Sequence, residues 1–358
     1  MVEYKPLYSP LASPPGSTGG LGVLGALSSL YPQPTFLGSA ATSGNALASQ
    51  GLVADLYRRP AALPVQTLLG ALAAPPARWQ YVRQRFAQIL ANITILSTQR
   101  EDGERKHAGV RACLNRSYWG TSSETANSML IGSWGKNTRG RPSRDIDILF
   151  LLPPAVYYRF QERSGNRQSQ LLQEVKGVLA QTYSQTTMRG DGQVVSIPFN
   201  TIPVEVAIGF RFTDGSIRVC DTNGGGKYSI STAEAEVADL DLSDRKWNGN
   251  TCALVRMAKR WQSECNVPLK SFQMERLAIE FLNIWPYSTN GLFWYDWMMR
   301  DFFGYLRGRA LGSDWLSRAE TAHRNAISAC ENEYGNYEAL AGQDWQGILG
   351  AAAPICVA

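Results

Sequence analysis

Residues 132–152 read Gly132-Ser-Trp-Gly-Lys-Asn-Thr-Arg-Gly-Arg-Pro-Ser-Arg-Asp-Ile-Asp-Ile-Leu-Phe-Leu-Leu152. A Gly-Ser pair is followed by Asp145, Asp147 and an unbroken apolar run, the pattern of a buried strand. In a strand, residues i and i+2 point to the same face, so the two carboxylates project together, roughly 6.5–7 Å apart. Ile146, Ile148 and Phe150 take the other face and enter the core. Two carboxylates on the rim of a buried strand repel each other and lose hydration. Divalent cations between them and a substrate triphosphate relieve both costs. This is the donor chemistry of a two-metal phosphoryl-transfer site, with ions about 3.5–4 Å apart.

The Gly-Ser pair suits the same chemistry. Gly132 lets the backbone approach a ligand closely, Ser133 adds a hydroxyl donor, and successive N–H groups in such a turn make an anion-binding concavity. Lys136, Arg139, Arg141 and Arg144 lie between the turn and the carboxylates, giving positive potential where a polyphosphate would enter. A surface loop before an edge strand is the ordinary alternative.

The array Gly-Ser-x11-Asp-x-Asp with an apolar strand resembles the signature of the DNA-polymerase-β-like nucleotidyltransferase superfamily. That resemblance implies a third carboxylate on a neighbouring strand. The segment Thr201-Ile-Pro-Val-Glu-Val-Ala-Ile-Gly-Phe210 offers Glu205, a lone acid in a β-branched, apolar run. Such a residue is costly unless paired or metal-bound. By the period of two, Glu205 shares a face with Pro203 and Ala207, while Val204, Val206 and Ile208 face the other way. An edge-strand Glu reaching solvent is the alternative, with Asp191, Asp214 or Asp221 as the third acid.

Further features narrow the resemblance. Trp79, Val82, Phe86, Ile89, Ile93 and Leu96 recur at helical spacing over residues 78–99. A long helix ahead of the Gly-Ser turn resembles the spine helix of the cGAS-like and DncV-like bacterial enzymes, the CD-NTases. Leu254-Val-Arg-Met-Ala-Lys-Arg-Trp261 and Val267-Pro-Leu-Lys-Ser-Phe-Gln-Met-Glu275 are similar to their C-terminal lobe. The tail, with Ala319, Ala322, Ala326 and Ala329, then Glu331, Glu333 and Trp345–Gly350, is similar to the bacterial members. The resemblance spans about residues 78–350. It implies that Lys259 and Ser271 contact donor-nucleotide phosphates. Read from the residues alone, Lys259 could be the exposed face of a helix whose core face is Leu254, Val255, Ala258 and Trp261. Ser271 could equally be an N-cap, and the two roles are compatible because a helix N-terminus is itself an anion site.

The expected fold is α+β: a polymerase-β-like core, a mixed sheet with its spine helix, plus a helical C-terminal lobe. Residues 1–75 form a low-complexity, mostly irregular segment. The catalytic domain takes 76–238 and the nucleotide-binding lobe 239–358. At 358 residues the chain can bury a core in each of two lobes. No residue between Pro6 and Ala54 is charged, and no signal peptide fits Leu21–Leu27; a short helix is expected at Leu52–Arg58. Beyond the spine helix we expect an irregular stretch over 100–127, a helix at 167–182 and strands near 193–199, 203–211 and 216–220. A turn at Asn223–Gly226 beside the active site follows, with helices from about 240.

Net charge is +5 and pI about 8.8, mild values that suit anionic nucleotides. No stripe of basic and aromatic residues reads as a nucleic-acid track. Six scattered cysteines and two histidines show no zinc-ligand spacing. A reduced, cytoplasmic set is expected, since such an enzyme works where its triphosphates are. Residues 291–305 are apolar and aromatic but carry Asp296, Arg300 and Asp301, so they read as a buried helix, not a membrane span; an aromatic box for a base is the sharper alternative.

The resemblance implies the following reaction. Asp145, Asp147 and Glu205 bind two Mg2+ ions (Mn2+ can substitute), Gly132 and Ser133 hold a donor triphosphate such as ATP, and an acceptor hydroxyl expels pyrophosphate. It further implies ring closure to a cyclic di- or trinucleotide, anti-phage signalling (CBASS) through a separate effector, and regulatory partner proteins of the defence system. Two other readings stay open: another enzyme of this fold that adds nucleotides to RNA, protein or a small molecule, and a non-catalytic binding module.

Overall fold

The computed structural model describes residues 78–142 and 144–357. They form two compact units: residues 92–260, and residues 78–91 with 261–357. The short helix expected at Leu52–Arg58, with the rest of the amino-terminal segment, lies outside the described residues.

The first unit is built on a seven-stranded mixed sheet. Its strands are β1 (Ser128–Leu130), β2 (Ile146–Leu151), β3 (Arg189–Asp191), β4 (Val194–Ile197), β5 (Val204–Arg211), β6 (Ile217–Asp221) and β7 (Lys227–Ile230). The order is β1-β2-β5-β4-β3, with β6 on β5 and β7 on β6. β2 and β5 run parallel; the other described pairs are antiparallel. The alternation read from the sequence holds in both strands. Ile146, Ile148, Phe150, Val204, Val206 and Ile208 are all fully buried.

A parallel pair needs a crossover, here by way of α4 (Pro154–Gln161) and α5 (Arg167–Thr182). Asn166 caps α5 by accepting a hydrogen bond from Ser169 N at 2.9 Å. The helix buries Leu171, Leu172, Val175 and Leu179 in the same core as the six strand residues. Each such side chain contributes about 1.5–3 kcal/mol.

The expectation of one helix followed by an irregular stretch over 100–127 is wrong. The helix over 78–99 is interrupted: α1 (Val82–Ile93) stops and α2 (Ser97–Trp119) begins after three intervening residues. Leu96 N donates to Gln99 Oε1 at 3.1 Å, which satisfies one end group at the restart. α2 runs for 23 residues to Gly120, whose φ of 68° closes it. Its apolar signal is weak because Arg111 and Asn115 share its buried face. Beside Val110, Cys113 and Leu114 it buries Gly103, Arg111 and Asn115. Asn115 Nδ2 donates to the carbonyls of Ser123 and Ala126 at 2.8 and 2.9 Å, and Arg111 Nε donates to Ser128 Oγ at 2.7 Å. These bonds satisfy the loop that enters β1. Two more helices, α6 (Ala233–Lys246) and α7 (Asn250–Glu264), follow the sheet, α7 continuing past the division between the units.

The second unit is helical, with α8 (Ser271–Ile284), α9 (Tyr295–Arg309), α10 (Leu316–Gly335) and α11 (Glu338–Leu349). The aromatic run packs inward: Phe303 meets Trp261 edge-on at 5.1 Å, and Phe302 lies 5.3 Å from Phe281. Its charges are buried too, because they have partners. Asp301 accepts from Arg300 Nε at 2.6 Å and from Trp285 Nε1 at 3.0 Å. Ala319, Ala326 and Ala329 are fully buried, a small-residue stripe that permits close helix packing. No described helix is long and apolar enough to cross a membrane.

Candidate active site

Parallel register decides which residues meet. Asp147 pairs with Glu205 across β2 and β5, and Asp145 precedes β2 by one residue. One carboxylate oxygen from each of Asp145, Asp147 and Glu205 lies within 4.8 Å of the others. All three are partly buried. The other acids considered for the third position are engaged elsewhere or lie apart. Asp214 accepts from Ser216 in its own turn, and Asp221 accepts from Asn223 beyond β6. Asp191 ends β3, which is separated from β5 by β4.

Three acids so close are electrostatically costly. Burial, then the charges of Asp145 and Glu205, push Asp147 up to about 7, against the pull of Lys136 and Lys259. Burial and Asp145 also raise Glu205. A cluster of hard oxygen donors whose mutual repulsion a cation would cancel fits Mg2+ or Mn2+ by donor chemistry.

The Gly-Ser pair begins a single helical turn, α3 (Gly132–Gly135), that starts directly after β1. Ile131 N donates to the Asp147 carbonyl at 2.9 Å, tying the turn to β2. Gly132 has φ 56°, and a Cβ there would come 1.9 Å from Asp147 Oδ2, so only glycine fits. Trp134 is buried against Gly103 of α2, where a Cβ would come 2.2 Å from the indole. The Ser133 carbonyl accepts from Thr138 N at 3.0 Å.

Cations line the segment that follows. Lys136 is buried and paired with Glu236 of α6 at 2.6 Å. Lys259 Nζ donates to Thr138 Oγ1 at 2.9 Å, Arg256 to the Asn137 carbonyl at 2.6 Å. Lys259 is therefore a partly buried group of this cluster, close enough to act on Asp147, while Leu254, Val255, Ala258 and Trp261 form the core face. Ser271 belongs to the other unit, as the first residue of α8, with Lys270 in the N-cap position. Asn223–Gly226 packs on α5: a Cβ at Gly226 would meet Asn166 Oδ1 at 2.4 Å. Sequence reasoning missed Gly103, Thr138 and Glu236. Of these only Glu236, an acid in the first turn of a helix, carries any local signal, and it does not name Lys136 as its partner.

Residues 81–242 match the model of SMODS, the Second Messenger Oligonucleotide or Dinucleotide Synthetase domain. The match takes in 162 of the 358 residues. The matched residues cover the sheet and the whole carboxylate cluster, and stop within α6. Solved CD-NTase structures share the fold at low identity. Escherichia coli CdnC with ATP is 15% identical, with TM-score 0.54, covering 76% of this chain and 98% of that one. The CdnC:HORMA-deltaN complex gives 13%, 0.55, 76% and 98%. Vibrio cholerae DncV, without ligand, gives 10%, 0.57, 76% and 96%. No curated protein matches the chain.

Proposed function

We propose that the chain joins nucleoside triphosphates into a cyclic di- or trinucleotide second messenger with release of pyrophosphate. The observation that carries this is the convergence of Asp145, Asp147 and Glu205 beside a glycine that only a Gly-Ser turn supplies. In this reading the three carboxylates are the catalytic metal ligands for two Mg2+ ions, with Mn2+ an acceptable substitute. When bound, the cations neutralise the triphosphate and make the acceptor hydroxyl a better nucleophile.

The chain's own groups do the rest. Gly132 clears space for Asp147, and Ser133 offers a hydroxyl to the donor phosphates. Lys259, held at Thr138, supplies a point charge for the same phosphates. Ser271 is assigned a phosphate contact on the resemblance alone. Burial and the neighbouring acids raise Asp147 to about 7, so cation binding would compete with a proton at this carboxyl. Holding both reactants in line and neutralising charge account for most of such a reaction.

CdnC has been solved with ATP and with a HORMA protein. We carry over nucleoside triphosphates as substrates, ATP among them, and a regulatory defence-system protein as partner. Anti-phage signalling through a separate effector, in the cytoplasm, completes the reading. The test is pyrophosphate release from the four triphosphates with and without Mg2+. Release that depends on Mg2+ and disappears in Asp145→Ala supports it; release unchanged in that variant contradicts it.

A further inference from the structure

One turn of α2 touches both sides of the carboxylate cluster. Gly103 lies under Trp134 of the Gly-Ser turn, close enough that no side chain fits between them. On the same turn Asp102 and Lys106 form an ion pair at 2.6 Å. Lys106 Nζ also donates to Thr201 Oγ1, and the Thr201 hydroxyl donates to Asp102 Oδ2 at 2.5 Å. The three groups close a triangle in which the ammonium donates twice and the hydroxyl donates once. Lys106 lies 5.4 Å over the ring of Phe199, which in turn meets Tyr183 edge-on at 5.3 Å.

An i,i+4 Asp–Lys pair by itself is ordinary helix surface. Here a third member comes from another part of the chain. Thr201 lies in the loop between β4 and β5, four residues ahead of Glu205. Within that interval the Pro203 carbonyl accepts from Ile146 N at 2.9 Å, so the loop enters the sheet directly beside the start of β2. Thr201 and Pro203 are thus two successive fastenings of the chain that leads into Glu205, one to α2 and one to β2. Such fastening matters because three neighbouring carboxylates push one another apart. A loop with no support of its own cannot resist the push, whereas a loop fastened to a 23-residue helix can.

We infer that Asp102, Lys106 and Thr201 are positioning residues for Glu205. They tie the start of β5 to the helix that seats Trp134, and so set the third carboxylate against Asp145 and Asp147. The inference rests on the reading of those carboxylates as a divalent-cation site. Groups that orient metal ligands from behind change metal affinity by about 10–100-fold when removed, without touching the ion.

The test is Mn2+ binding to the full chain by electron paramagnetic resonance, using Mn2+ alone with no nucleotide. Thr201→Val and Lys106→Ala should each weaken the affinity about tenfold, and Lys106→Arg should restore most of it. Melting temperatures in EDTA should stay within about 2 °C of the parent, as for ion pairs that keep contact with water. In a Glu205→Gln background Thr201→Val should have almost no further effect, since coupled residues are non-additive. Unchanged Mn2+ affinity, an undiminished effect without Glu205, or a loss that tracks a lowered melting temperature overturns the inference and leaves the cation site standing. A parent chain that binds no Mn2+ overturns the cation site, and this inference with it.

Discussion

Replacing Asp147 by asparagine should stabilise the cation-free protein while abolishing its activity. Burial and two neighbouring acids raise this carboxyl from an ordinary 3.8 to about 7. A displacement of that size corresponds to about 4 kcal/mol of folding free energy. Because Asp147 keeps some contact with water, screening reduces this to about 2 kcal/mol. The sign follows from proton binding. Between pH 4 and 7 the folded protein holds the proton and the unfolded chain does not, so stability falls as pH rises through this window. The cost is absent below about pH 4 and complete above about pH 7. The Asp147→Asn variant would be free of it, melting about 4–8 °C higher than the parent in EDTA at pH 8 and little higher near pH 4. Millimolar Mg2+ should reverse the trend. At ten times its dissociation constant a ligand adds about 1.4 kcal/mol to the parent, and the variant has lost a ligand group. Thermal unfolding by fluorescence across pH 4–8, with EDTA and with Mg2+, measures all of this. A variant less stable than the parent in EDTA at pH 8, or an advantage independent of pH, refutes the electrostatic account of the cluster.

Four other outcomes are expected. Glu205→Gln should lower nucleotide incorporation by orders of magnitude while donor-triphosphate binding survives, measured by single-turnover kinetics beside equilibrium titration. Lys259→Ala should reduce kcat/KM roughly ten- to a hundred-fold, as for loss of one charged hydrogen bond, and the linear and cyclic steps should weaken together in a product time course. Gly132→Ala should remove activity with the circular dichroism spectrum retained, since its Cβ would come 1.9 Å from Asp147 Oδ2. Deleting residues 1–75 should leave synthesis near the parent level; aggregation of the shortened chain would show that the segment packs on the rest.

The part of the site written in adjacent residues was legible. Asp145 and Asp147 sit two apart in an apolar run, and Glu205 interrupts another, so strand alternation alone put each acid opposite its core residues. Strand pairing was not legible, yet the parallel register is what sets Asp147 beside Glu205. α2 escaped notice because Arg111 and Asn115 occupy buried positions where a helix ordinarily shows apolar residues. Their carbonyl partners at 123–128 exist only in the folded chain. For the same reason Lys136 read only as one of four cations where a polyphosphate would enter, although it is buried against Glu236, a hundred residues on.

The most direct test of the central claim is the product itself. The full chain, incubated with labelled triphosphates and Mg2+ and then treated with phosphatase, should yield a labelled oligonucleotide that resists digestion because it has no terminal phosphate. The same reaction with Asp145→Ala should yield only free phosphate. A product that phosphatase degrades, or label transferred to RNA, protein or a small molecule, would contradict ring closure; a resistant product from Asp145→Ala would contradict the site.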